Sequence, residues 1–153
     1  MMVYLTRRYR FSAAHRLHSE ALDAAENARV YGKCNNPYGH GHNYVLEVTV
    51  AGPVDPHTGM VCDLARLDGA VEQEVLERFD QMNLNLDVES FRRRVPTTEN
   101  LCSEIFHRLR RRLARAGGAG STRLERVRLE ETNSNFFEYE GEPDQKETGR
   151  KAR

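Results

Sequence analysis

The sequence predicts an α+β fold of order ββααββ with both helices on one sheet face, and three patterns carry that prediction. Period-two alternation marks two early strands: Tyr9, Phe11, Ala13 and His15 share one parity, and Tyr44, Leu46, Val48 and Val50 share that of His42. Apolar residues then recur at three and four residues, first Leu64, Leu67, Val71, Val75 and Phe79, later Leu101, Ile105, Leu109 and Leu113, which is the spacing of a helical face. Two further alternating runs close the pattern. A sheet that buries one face and helices that bury one stripe pack as two layers.

The first strand is expected over Val3 to His15, followed by an acidic, Ala-rich segment, Ser19 to Arg29, that makes a short helix or loop. The second strand, about His42 to Ala51, ends in Gly52-Pro53-Val54-Asp55-Pro56-His57-Thr58-Gly59, a dense turn signal, and pairs antiparallel with the first. Asp63 suits the N-cap of the first helix. The second helix starts beside Thr97 or Thr98, just after Pro96, and stops at Gly117-Gly118. Strands Arg123 to Glu131 and Asn135 to Glu140 flank a Thr132-Asn133-Ser134 turn. Residues 1–141 read as a single domain, and the polar stretch 142–153, without apolar anchors, as a disordered tail.

At 153 residues a chain buries roughly 68–70% of its unfolded surface and needs no metal or disulfide to build a core, so a metal here would be functional. With 23 basic against 23 acidic residues the formal net charge is zero, which argues against nucleic-acid and membrane partners. The run Arg108-Leu109-Arg110-Arg111-Arg112 reads better as last-turn arginines on a solvated face than as a nucleic-acid patch. Met1 to Phe11 lacks the apolar stretch of a signal peptide, and no run approaches about 18 apolar residues, so a cytoplasmic protein is expected. Cys34, Cys62 and Cys102, odd in number and unrelated in spacing, fit reduced thiols; the last two are expected to be small buried residues.

His40-Gly41-His42 points two imidazoles to one side of an extended backbone, and antiparallel pairing brings His15 beside them. Three neutral nitrogens with an open fourth position make a catalytic zinc platform; a chance HxH pair is the alternative. Cys34, in a loop six residues before His40, reads as a fourth ligand closing the site, as a thiolate base or nucleophile, or as an ordinary loop thiol. Glu131 shares parity with Val127 and Leu129, so its carboxylate either sits at the sheet rim or awaits a ligand with paired N–H donors. Glu99, at a helix start, complements the dipole by default.

Taken together, Phe11-Ser12-Ala13-Ala14-His15-Arg16-Leu17, Gly32-Lys33-Cys34-Asn35-Asn36-Pro37, Gly39-His40-Gly41-His42-Asn43-Tyr44, Asp55-Pro56-His57-Thr58-Gly59-Met60, Thr97-Thr98-Glu99-Asn100 and Glu130-Glu131-Thr132 resemble the 6-pyruvoyl-tetrahydropterin synthase family from roughly Arg7 to Gly141. The resemblance implies a tunnelling fold, in which a four-stranded antiparallel sheet backed by two helices trimerises into a barrel and two trimers stack into a homo-hexamer, with active sites between subunits. It also implies zinc on His15, His40 and His42, Cys34 as the proton-transferring thiol, and Glu131, helped by Thr98 and Glu99, on the aminopyrimidine edge of a pterin. The implied reaction takes 7,8-dihydroneopterin triphosphate to 6-pyruvoyl-tetrahydropterin with elimination of triphosphate.

The related 6-carboxy-tetrahydropterin branch, of queuosine biosynthesis, typically places three residues between its cysteine and the HGH. Five intervene here, which favours the pyruvoyl branch. One departure stands out: where the family usually has Asp-His before Lys-Asn-Leu-Asp, the two groups that activate the cysteine, this chain reads Asp80-Gln81-Met82-Asn83-Leu84-Asn85. Gln81 cannot take up a proton, so a zinc- and pterin-binding homologue with weak lyase activity is a third reading. His18, His57 and His107 offer no evident substitute.

Overall fold

Strand β1 (Met2–His15) pairs antiparallel with β2 (His40–Pro53) over its full length, from Met2 opposite Pro53 to His15 opposite His40, in a computed structural model that describes residues 1–115 and 122–142. The predicted parity holds: Phe11, Ala13 and His15 on β1 and Tyr44, Leu46, Val48 and Val50 on β2 are buried on one face. The other face carries Arg8, Arg10, Ser12 and Glu47, with Arg8 and Glu47 joined at 2.6 Å. β2 extends beyond the expected bounds at both ends because every residue of β1 through His15 has a partner on it.

The remaining strands are β4 (Arg123–Thr132), antiparallel to β2, and β5 (Asn135–Tyr139), antiparallel to β4. A two-residue strand, β3 (Met82–Asn83), lies parallel to β1 at Ala13 and Ala14. The sheet is therefore five-stranded and mixed, in the order β3-β1-β2-β4-β5, rather than four-stranded and antiparallel. Two residues are too few to produce an alternating pattern; Gln81 N–H, which donates to Ser12 O at 2.6 Å, guides β3 onto the β1 edge.

Helix α1 (Ala24–Tyr31) occupies the segment expected as helix or loop, with Asp23 as N-cap and Glu26 closing a capping box. Helix α2 (Leu64–Val71) begins on the expected cap, Asp63, whose carboxylate accepts from the N–H groups of Ala65 and Arg66. The helical run continues through a π turn (Glu72–Leu76) into α3 (Glu77–Phe79). A single turn, α4 (Leu84–Asp87), follows β3. The long helix α5 (Thr98–Arg115) starts where Thr97 accepts from Leu101 N–H and Asn100 N–H.

Leu67, Val71, Val75 and Phe79 from one run and Leu101, Ile105 and Leu109 from the other pack with the inner sheet face as one core. Each such side chain contributes roughly 1.5–3 kcal/mol when removed from water. Cys102 lies in that core, whereas Cys62 is only half-buried at its edge. The expected stop at Gly117-Gly118 and tail residues 143–153 lie outside the described residues. Among the described residues no helix is long and apolar enough to cross a membrane.

Candidate active site

The β1–β2 register places His15 opposite His40 and Ala13 opposite His42, so all three imidazoles emerge at one end of the buried sheet face. One nitrogen from each lies within 4.8 Å of the others. His15 is buried, and its Nδ1 is 2.7 Å from the Pro96 carbonyl. A carbonyl only accepts, so Nδ1 carries the proton and Nε2 turns its lone pair toward the cluster, 3.1 Å from His40 Nε2.

Gly39 makes this approach possible. Its φ of +72° turns the chain into β2, and a Cβ there would meet the His15 carbonyl oxygen at 2.9 Å. Burial holds the pKa values of His15 and His42 below the ordinary histidine range, keeping the rings neutral as metal ligation requires. A tetrahedral ion about 2.0–2.1 Å from each nitrogen spaces them by about 3.3–3.4 Å, near the 3.1 Å between His15 Nε2 and His40 Nε2 and within the 4.8 Å that bounds all three. The three residues fit zinc.

Glu131 faces the same cluster. Its Oε1 lies 3.6 Å from His42 Nε2 and 3.8 Å from His15 Nε2. Pairing of β4 with β5 shifts between Glu130 and Thr132, leaving Glu131 without a partner on β5, while its side chain keeps the inward parity of Val127 and Leu129. Thr98 Oγ1 donates to Oε1 at 2.5 Å and Asn135 Nδ2 to Oε2 at 2.9 Å. Burial alone pushes this carboxyl up, but the hydrogen bonds from Thr98 and Asn135 lead the opposing effects and its pKa is held below the ordinary glutamate range. The result is a fixed carboxylate with lone pairs to spare.

Cys34 sits in a 3-10 turn (Gly32–Asn35) stitched to the chain just beyond His15: Leu17 N–H donates to the Cys34 carbonyl at 2.9 Å, and Asn35 Nδ2 to the Leu17 carbonyl at 2.8 Å. Its sulfur is not part of the histidine cluster, which among the described residues consists of His15, His40 and His42 alone. Asp80 and Gln81 lie at the corner between α3 and β3. Asp80 Oδ1 accepts from Ser12 N–H at 2.8 Å, and Gln81, at φ +60°, lines a shallow cleft of about 420 Å³ together with His42, Ser12 and Asn43. Among the described residues no hydrogen bond joins Cys34 to Asp80 or Gln81. Glu99 is exposed in the first turn of α5.

The family model for 6-pyruvoyl tetrahydropterin synthase matches residues 4–142. The chain belongs to this family. A relative in it, the 6-pyruvoyl tetrahydrobiopterin synthase of Drosophila melanogaster, is 46% identical over 140 residues, covering 92% of this chain and 80% of its own. The solved 6-pyruvoyl tetrahydropterin synthase of Caenorhabditis elegans superposes with a TM-score of 0.84 at 44% identity, over 93% of this chain and 97% of that one. A 6-carboxy-5,6,7,8-tetrahydropterin synthase of Aquifex aeolicus is more distant, 29% identical over 165 residues, covering 90% of this chain and 98% of its own.

Three participants escaped the sequence reading. Tyr44 shows only alternation, yet its hydroxyl is buried beside the cluster with no hydrogen-bond partner among the described residues, its ring 5.7 Å from that of His42. Pro96 acts through its carbonyl, which no side-chain pattern reveals. Asn135 was read as a strand start; the position of Glu131 four residues earlier across a tight turn was the available signal.

Proposed function

We propose that the chain is a zinc-dependent 6-pyruvoyl-tetrahydropterin synthase, a lyase that converts 7,8-dihydroneopterin triphosphate to 6-pyruvoyl-tetrahydropterin with elimination of triphosphate. The observation that carries this reading is the three-histidine cluster facing a carboxylate already fixed by Thr98 and Asn135. His15, His40 and His42 would hold the ion. When bound, zinc supplies Lewis-acid polarisation of substrate oxygens, which acidifies neighbouring C–H bonds.

The protein's own groups do the rest. Glu131 accepts the paired N–H donors of the aminopyrimidine edge, with Thr98 holding one of its oxygens and Glu99 completing that segment. Cys34 takes a proton from one side-chain carbon and returns it to another. Asp80 and the residue at position 81 assist the thiol, and Gln81 does so by hydrogen bonding alone. From the family resemblance and the sheet edges that a lone chain leaves unpaired, this reading also includes a homo-hexamer, a dimer of trimers, with each site completed between subunits. It also includes a cytoplasmic setting.

Gln81 motivates a second reading, a zinc- and pterin-binding homologue with weak lyase activity. The 6-carboxy product remains the alternative enzyme, disfavoured by the five residues between Cys34 and His40. Anaerobic incubation of the zinc-loaded protein with dihydroneopterin triphosphate, recording product mass and triphosphate release, separates the three: pyruvoyl product supports the proposal, carboxy product replaces it, and binding without triphosphate release leaves the homologue reading. Sedimentation at micromolar concentration tests the assembly, and a monomer would remove the intersubunit site.

A further inference from the structure

Residues next in sequence to the histidine cluster help line a separate cleft of about 450 Å³. Three of its lining residues tie it to that cluster: Arg16 follows His15, Gly39 precedes His40, and Pro96 receives the His15 Nδ1 proton. Its volume is that of an ordinary small-molecule site. Its charge is one-sided, with Arg16, Arg92, Arg93 and Arg94 set against Glu20.

The four guanidiniums are not equally engaged. Arg92 pairs with Glu89 at 3.0 Å, and Arg94 donates to the Asn100 carbonyl at 2.6 Å and lies 3.9 Å from Glu104. Arg16 spends only Nε, on the Asn35 carbonyl at 3.0 Å, while its backbone is clamped by Asn85 through two hydrogen bonds of 2.8 and 3.0 Å. Arg93 forms no ion pair among the described residues. In a chain of zero net charge, such a concentration of one sign in a concave wall focuses its field on whatever enters, and guanidinium forks match phosphate oxygens.

We propose that this cleft is a polyphosphate site, seating the triphosphate tail of the substrate, with Arg16 and Arg93 as its principal contacts. The inference rests on the pterin triphosphate reading for its ligand, though not for its charge. In the elimination a proton leaves carbon for a base, a carbon–carbon double bond forms, and the C–O bond to triphosphate breaks with its electron pair departing on the triphosphate oxygen. Fixed positive charge around that oxygen stabilises the departing anion.

The test uses the zinc-loaded protein with inorganic tripolyphosphate, phosphate-free dihydroneopterin and dihydroneopterin triphosphate. Calorimetry is expected to show tripolyphosphate binding that weakens with salt, falls about tenfold or more in Arg93→Ala, falls further in Arg93→Glu, and is unchanged in Arg111→Ala on the exposed side of α5. Arg16→Lys keeps the charge but loses the fork and should fall between. Dihydroneopterin should bind all variants alike, while the KM for its triphosphate rises in step with the tripolyphosphate Kd. Equal tripolyphosphate binding in Arg93→Ala and Arg111→Ala, or none in the unmodified protein, overturns the proposal. If tripolyphosphate binds through Arg93 while dihydroneopterin triphosphate is not turned over, the synthase reading fails and the polyphosphate site stands. Normal turnover with Arg93→Glu indistinguishable from the parent has the opposite meaning.

Discussion

The histidine–carboxylate end of the sheet and the groups proposed to move protons are held in place by different means. His15, His40 and His42 stand on two strands paired over 14 residues, and Glu131 on a bulge clamped from both sides. Cys34 rides a four-residue turn, and Asp80 and Gln81 a corner attached to β1 by two backbone-directed hydrogen bonds. In the proposed reading, metal ligation and recognition of a flat pterin edge need groups held in fixed positions.

That contrast is most exposed at His40. Replacing it with alanine should remove most bound zinc, a loss exceeding the roughly 10–100-fold typical of disturbing an outer partner of a ligand, while the strand pairing survives. Metal content after dialysis, beside far-ultraviolet circular dichroism, checks both halves. Full zinc retention would mean that the cluster is not the metal site. At Glu131 the expected outcome separates the ion from the pterin: Glu131→Gln should keep zinc and weaken dihydroneopterin binding by about 10–100-fold, the worth of charge-assisted hydrogen bonds. Loss of zinc in that variant would instead make the carboxylate a ligand.

Gln81→His probes the other region. The left-handed backbone at φ +60° suits histidine at least as well as glutamine, so the exchange adds a proton acceptor without new strain. General acid–base groups contribute about 10²–10⁴-fold, and a gain of at least about tenfold in kcat with little change in KM is expected. Kinetics between pH 6 and 9 decide it. A neutral or slower variant assigns the proton path to another group.

The two regions also differed in how far they could be read before folding. Strand parity and the HGH spacing carried His15, His40 and His42 to one face because period two is a property of the backbone alone. Asp63 and Thr97 were legible as caps for the same local reason. The parity of Glu131 was legible too, but the bulge beside it was not, since it is a mismatch of register between two strands and neither strand contains it by itself. Nor was β3, which two residues cannot announce, or the buried Tyr44 hydroxyl, an outcome of packing. The capping box of α1, Asp23 with Glu26, was present in the sequence and would have resolved helix from loop.

The smallest expected effect comes from the scaffold that serves both regions. Asp68 on α2 accepts from Tyr9 Oη at 2.7 Å and from Arg7 Nε and Nη2 at 3.0 and 2.6 Å, fastening the helix layer to β1. The Tyr9 hydrogen bond first, then that of Arg7, outweighs the desolvation of Asp68 and holds its carboxyl below the ordinary aspartate range. A group whose folded pKa is depressed adds stability above its unfolded pKa, about 3.9 for Asp, and loses it as pH falls through the folded value. Asp68→Asn should therefore lower Tm at pH 7 and converge with the parent below about pH 4. With the Asp68 side chain 39% exposed, solvent screening limits the gap to about 1–3 °C. Zinc content should not change, because β1 is held independently at His15 by β2 and Pro96. A gap that persists undiminished at pH 3 would assign the loss to geometry rather than charge, and a fall in zinc content would show that the cluster draws its rigidity from the helix layer as well as from the strands.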